Sequence, residues 1–189
     1  MYRPNVLKLD VSGVPEDWIT PREAAELIAK DMMAWSLGDV VDTFHGGVNR
    51  NGLRTVIEIP SIVAVNGTSN VSLLDIPAGV TREKLFIRDR NMCAYCGDIF
   101  HPKVLQAEHI IPDKRGGPWS WMNLVASCNH CNQVLKKCQT PEEAGMPLLY
   151  LPYVPSRWEN MIMENRNIKA DQMDFLAASL PKHSRLLQS

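Results

Sequence analysis

Two cysteine pairs, Cys93-Ala94-Tyr95-Cys96 and Cys128-Asn129-His130-Cys131, constrain this chain more than any other feature. Zinc takes four thiolate or imidazole ligands in a tetrahedron, and one C-x2-C turn presents two of them. Cys93, Cys96, Cys128 and Cys131 therefore make a complete set for a structural Zn2+ ion. A redox C-x-x-C would have no need of a second pair. Residues 97–127 separate the pairs, more than the roughly 15–20 residues inside a simple zinc ribbon, so something folded must sit within the clip. A zinc ion held this way contributes about 10–16 kcal/mol of apparent binding energy, a large term for a segment with a small core. Cys138 falls outside the pattern and reads as a free thiol. The opening M-Y-R-P-N-V-L-K-L-D has no apolar signal core, so the expected compartment is the cytoplasm, where thiols stay reduced.

The remainder of the 189 residues reads as support. Three segments are expected: an N-terminal α+β extension over 1–80, a core over 81–150 and a helical segment over 151–189. In the first, Val6–Val11 alternates like a short strand. Thr20-Pro21-Arg22-Glu23 has the residues of a capping box with proline at the first helical position. Ala24, Leu27, Ile28, Met32 and Trp35 continue a helical face that Gly38 should end. His45 to Gly52 reads as a turn. The run from Thr55 to Val65 reads as a strand that Pro60 either places at an edge or breaks. Residues 66–80 read as a linker. Thr81–Asp89 predicts a short helix, and Thr140 with Glu143 repeats the capping pattern before Gly145. Ser156 and Glu159 predict the start of a long C-terminal helix, on whose apolar face Asn165 and Gln172 intrude. No apolar run is long enough to span a membrane. Formal net charge is −1, yet residues 80–137 hold nine Lys and Arg against five Asp and Glu. Local rather than net charge sets the footprint for a phosphate backbone.

Inside the clip, Leu105–Pro112 reads as a strand, Lys114–Pro118 as a loop, Met122–Ala126 as a second strand and Asn129–Lys137 as a helix. The order C-x2-C, E-H-I-I-P, G-G, W-x-N-L-V, C-x2-C-N-x3-K resembles the HNH nucleases, and among them the zinc-stapled bacterial and phage members. The resemblance runs from about Leu85 to Leu149. It implies an α+β fold with a ββα-metal core, a four-cysteine zinc site, an N-terminal strand-helix-strand extension and the long C-terminal helix. It also implies a bacterial or phage-infected host cell.

The resemblance further implies a metal-dependent endonuclease acting on DNA, leaving 5′-phosphate and 3′-hydroxyl ends. His109 would be the general base, since neutral imidazole can take a proton from water near pH 7. Glu108 and Asn132 would hold one Mg2+ or Mn2+ ion through oxygen ligands, which suit a hard cation. The family usually has Asp at the position of Glu108, and His or Asn at that of Asn132. Asn123 would fix the loop and the histidine by hydrogen bonding. Lys114, Arg115, Lys136 and Lys137 would contact phosphates. His101 and His130 read as surface residues, and Trp119 and Trp121 as packing. Cleavage of both strands would call for a homodimer, with the C-terminal helix as its contact. The competing reading is a zinc-stapled DNA-binding or scaffold protein with no activity. Such a protein would keep the four cysteines but would not need Glu108, His109 and Asn132 together.

Overall fold

The computed structural model describes residues 5–48, 50–68, 79–182 and 184–187; most of the expected linker, residues 69–78, lies outside them. The chain forms two units, one from Met1–Asp75 with Asn165–Ser179, the other from Ile76–Glu164 with Leu180–Ser189. The fold is mixed α and β, as the sequence predicts.

The first unit carries a four-stranded sheet made of β1 (Val6–Leu9), β2 (Pro15–Ile19), β3 (Met33–Val48) and β4 (Arg54–Val65), in the order β2-β1-β4-β3. β1 runs antiparallel to β2 and parallel to β4, and β3 and β4 form an antiparallel hairpin. Helix α1 (Pro21–Ala29) begins with the predicted capping box: Thr20 accepts from the Glu23 amide and Glu23 from the Thr20 amide. Val6, Ala24, Ile59 and Val63 form the buried core under it.

α1 stops well short of Gly38. The Asp31 backbone turns left-handed (φ 56°), the Asp31 amide donates to Ile28 and the Met32 amide to Leu27. Those two bonds make a Schellman end, with aspartate where glycine is usual because its short polar side chain tolerates that conformation. Met32 thus lies beyond the helix and Trp35 is a strand residue. His45–Val48 likewise belongs to β3, so the turn begins later than expected. β2 was not anticipated from the sequence. Pro60 does not break β4. It sits at a register shift opposite Val40, beyond the last residue β1 covers, so locally the strand has one neighbour and the missing N–H goes unneeded.

The single long C-terminal helix is instead two, α3 (Arg157–Glu164) and α4 (Ala170–Ala177). Between them the Asn165 side chain accepts from the Asn167 amide, a local turn that competes with helix. α4 belongs to the first unit. Its Gln172, fully buried, donates to the carbonyls of Asn5 and Ser61. Asp171 accepts from the Asp39 amide and the Ser61 hydroxyl. Gly38 passes directly beneath, where a Cβ would collide with Ser61 and Asp171.

In the second unit α2 (Arg82–Arg88), capped by Thr81, precedes the antiparallel pair β5 (Leu105–His109) and β6 (Leu124–Cys128). A π-helix, His130–Lys136, follows β6. Leu85, Phe86, Leu105, Trp121, Leu124, Ala126 and Met163 form one core cluster. α3 joins it through Met163 and through Lys84, whose ammonium donates to Glu164 and Asn160; the Ser156–Glu159 box is formed.

The centre of this unit is a buried ion pair that the sequence did not advertise. Arg88 and Asp89 are both fully buried. The guanidinium uses all its donors: Nε and Nη2 on Asp89, Nη1 on the carbonyls of Trp121 and Tyr153, Nη2 also on that of Leu124. Asp89 in turn accepts from the Ala126 amide. A buried charge is tolerable only when its partners are complete, and here they bolt α2 to the first half of β6 and to the chain at Trp121 and Tyr153.

Candidate metal centre and catalytic cavity

The four predicted cysteines come together: the sulfurs of Cys93, Cys96, Cys128 and Cys131 all lie within 4.8 Å of one another. Three are buried and Cys96 is exposed. The amide of Cys131 points at the Cys128 sulfur, 3.4 Å away. Burial opposes ionisation at Cys93, but backbone donors at Cys96, Cys128 and Tyr95 outweigh it and bring this thiol down to about 7. Cys96 is pushed up to about 11, by burial first and then by its sulfur neighbours, and Cys131 is raised further for the same reasons. Four thiols grouped this closely suit a cation in place of their protons. The set could hold a metal ion such as zinc.

The clip encloses the β5–β6 pair, as the long spacing requires. Along a strand, side chains two apart share a face about 6.6 Å apart; in a π-helix, where hydrogen bonds run i→i+5, side chains four apart still lie on nearly one face. Gln106 and Glu108 on β5 meet Asn132 and Lys136 on the π-helix in this way. The Asn132 amide donates to Gln106 Oε1 at 2.7 Å, and Lys136 Nζ donates to Glu108 Oε1 at 2.6 Å and to the His109 carbonyl at 2.9 Å. Two parallel rungs result, one neutral and one ionic.

A cavity of about 300 Å3 opens beside these rungs, lined by Glu108, His109, Pro112, Asp113, Lys114, Asn132, Gln133, Lys137 and Cys138. Glu108 and His109 are neighbours on a strand and point to opposite sides of it, yet both reach this cavity. His109 is the last paired residue of β5, and the chain beyond it bends through the 3-10 turn Asp113–Arg115 to close the far wall. Only one carboxylate oxygen of Glu108 is engaged by Lys136, and Asn132 is engaged through its nitrogen. Each keeps an oxygen for a hard cation.

Asn123 is outside the cavity and holds the loop that shapes it. Its side chain accepts from the Ile111 amide and donates to the carbonyls of Ile111 and Pro118, while its own carbonyl accepts from Ile110. Both ends of the 110–118 loop are thereby closed on one residue. Gly117 is required there, because a Cβ would strike the Ile111 carbonyl and the Asn123 amide. Tyr95 is buried, and its phenol is held neutral, raised by burial first and by the Glu108 charge next.

The four basic residues separate. Lys114 and Lys137 are exposed on the cavity wall. Arg115 spends Nη1 on both carboxylate oxygens of Glu143. Lys136 is not at the surface at all: it is fully buried against Glu108, so it cannot meet a phosphate. An adjacent Lys136-Lys137 looks like one basic patch in sequence, but consecutive helical positions face different ways. His101 and His130 are exposed. Trp121 packs, buried under Arg88 at 5.4 Å. Trp119 does not; it is 51 % exposed, edge-on to the His109 ring at 5.6 Å. Cys138 is exposed at the cavity rim. Gln106 was missed by sequence reasoning, although its place two residues before Glu108 puts both on one face.

A thiol clip thus brackets an antiparallel pair, with a carboxylate, an imidazole and an amide on one cavity. Residues 93–149 match the family model described as HNH endonuclease. The match takes in all four clip cysteines and every residue lining the cavity. No curated protein and no solved structure matches the chain. No helix among the described residues is long and apolar enough to cross a membrane.

Proposed function

We propose that the second unit is a metal-dependent endonuclease that hydrolyses DNA phosphodiester bonds, with His109 as general base. The observation that supports this best is the convergence of Glu108, His109 and Asn132 on one cavity with Lys114 and Lys137 on its wall. Exposed ammonium groups there suit a phosphate backbone. Zn2+ is the ion expected at the four thiols and has a structural part. The oxygen donors of Glu108 and Asn132 fit Mg2+ or Mn2+, which when bound would supply positive charge for the phosphate oxygens and the departing oxygen.

His109 takes a proton from water as the water oxygen bonds to phosphorus. The bond from phosphorus to the 3′-oxygen breaks, and that oxygen gains a proton from solvent, leaving 5′-phosphate and 3′-hydroxyl ends. Trp119 against one side of the imidazole and the loop held by Asn123 limit how the ring can turn. Lys136 holds the Glu108 carboxylate in place.

The test is cleavage of supercoiled plasmid with Mg2+ or Mn2+, comparing wild type with His109→Ala. Loss of cutting by about 100-fold or more in the variant is expected for removal of a general base. Equal cutting by both proteins overturns the role of His109. Binding to DNA without cleavage in any divalent metal would make the chain a zinc-stapled DNA-binding protein instead.

A further inference from the structure

We propose that a second cavity, on the other side of Asn132, takes an unpaired nucleobase of the DNA strand, with Trp119 as its stacking surface. The inference rests on the endonuclease reading for the identity of the strand. This cavity holds about 290 Å3 and is lined by Arg82, Gln106, Ala107, Trp119, Asn132 and Gln133. Asn132 and Gln133 also line the cavity of Glu108 and His109. The two cavities therefore share a wall, and a strand with a phosphate at His109 has a flanking nucleotide beside the second one.

The chemistry of the lining selects a base rather than another phosphate. Trp119 Nε1 donates to the Val80 carbonyl at 3.0 Å, which pins the indole and keeps it from folding in to bury itself. A rigid, half-exposed indole offers its face to any base, whatever the sequence. Gln106 donates to Asn129 and accepts from Asn132 and Gln133, which holds it as a fixed wall. Gln133 is exposed and has a carbonyl oxygen to offer to the amino or imino edge of a base. Arg82 is anchored by Nη2 on the Leu105 carbonyl and by its position over Phe86 at 5.9 Å. Its other N–H groups can reach a sugar or a base oxygen. Lys114 and Lys137 stand at the other cavity, where the phosphate belongs.

In an intact duplex both faces of every base are covered, so the indole can be used only where a nucleotide is unpaired or turned out. The substrate class that follows is DNA with a bulge, mismatch or single-stranded flank beside the cut.

Fluorescence anisotropy with the zinc-loaded full chain, without added Mg2+ or Mn2+, tests this on three labelled oligonucleotides: a perfect duplex, the same duplex with one bulged nucleotide, and the single strand. Wild type should prefer the bulged and single-stranded forms. Trp119→Ala should lose about 5- to 100-fold on those two forms, the range for one stacked base, and less than twofold on the perfect duplex. Trp119→Phe should keep most of the preference and Trp119→Leu should not. Thermal melting of each variant shows that it is folded. As a second readout, 2-aminopurine at the bulge should be quenched by wild type and not by Trp119→Ala. Equal affinity of Trp119→Ala and wild type for the bulged duplex overturns the base site, as does equal loss on all three forms or a leucine variant as good as phenylalanine. A wild-type chain that binds no DNA overturns the endonuclease reading together with this one. A chain that binds and cuts with no dependence on Trp119 overturns this one alone.

Discussion

Replacing Lys136 by methionine probes the ionic rung between the π-helix and β5. The ammonium is fully buried and Glu108 keeps a side-chain exposure of 11 %. Breaking a buried pair by removing one partner leaves an uncompensated charge and costs about 3–5 kcal/mol. Glu108 still touches the cavity, where water can solvate it, which puts the expected loss near the lower end, about 3 kcal/mol. Included in that figure is the bond to the His109 carbonyl. The assay is urea unfolding of zinc-loaded protein followed by tryptophan fluorescence, where the midpoint should fall at unchanged slope. Adding Glu108→Gln to Lys136→Met removes the stranded charge, so the double variant should recover at least about 1 kcal/mol relative to additivity. Mn2+ should stabilise Lys136→Met more than wild type, because a cation at Glu108 replaces the missing ammonium. A single variant within about 0.5 kcal/mol of wild type, or strictly additive changes, would refute the reasoning.

Stripping the metal from the four thiols, or Cys128→Ser, should unfold the second unit, since zinc binding of about 10–16 kcal/mol is comparable to the whole stability of an ordinary domain, about 5–15 kcal/mol; metal analysis should find one zinc per chain, and circular dichroism the loss of structure. Asn123→Ala removes three side-chain hydrogen bonds from the 110–118 loop and should destabilise by about 2–4 kcal/mol; kinetics should show kcat falling more than KM rises, because the loop and His109 lose their positions. Arg88→Leu strands Asp89 and three carbonyls and should cost at least about 3–5 kcal/mol in denaturant melts, and Arg88→Lys should not rescue it, since an ammonium cannot reproduce the planar fork. Asp171 is lowered below the usual aspartate range: burial opposes this, but the Ser61 hydroxyl and the amides of Asp39 and Gln172 outweigh it. A depressed folded-state value means stability that is present above the ordinary aspartate value and lost as pH falls through the lowered one. Acid melts of wild type should therefore show a loss that Asp171→Asn lacks.

What could be seen in the sequence was local. A capping box needs only residues three apart, and Thr20 with Glu23 and Ser156 with Glu159 are both formed. The end of α1 was misread because the glycine rule looks for Gly38, whereas an aspartate took the left-handed position at residue 31. The C-terminal helix was misread because a hydrophobic period continued through Asn165, whose side chain offers the backbone a turn instead. Trp119 was expected to pack like Trp121, but packing depends on neighbours that only folding supplies.

By themselves, the residues of the sequence determined the clip and its contents: four cysteines at metal-binding spacing, a gap too long for a ribbon, an acid, an imidazole and an amide within it, and a second amide just past the last cysteine. Those are statements about ligand chemistry and chain length, which need no coordinates. The tertiary structure alone decided which of two adjacent lysines meets Glu108 and which meets solvent. It also decided that Asn123 closes a loop while Asn132 faces two cavities, and that Arg88 and Asp89 hold the unit together from inside. Each of those outcomes depends on which face a helix turns to a strand, and that choice is made by packing between segments far apart in the chain.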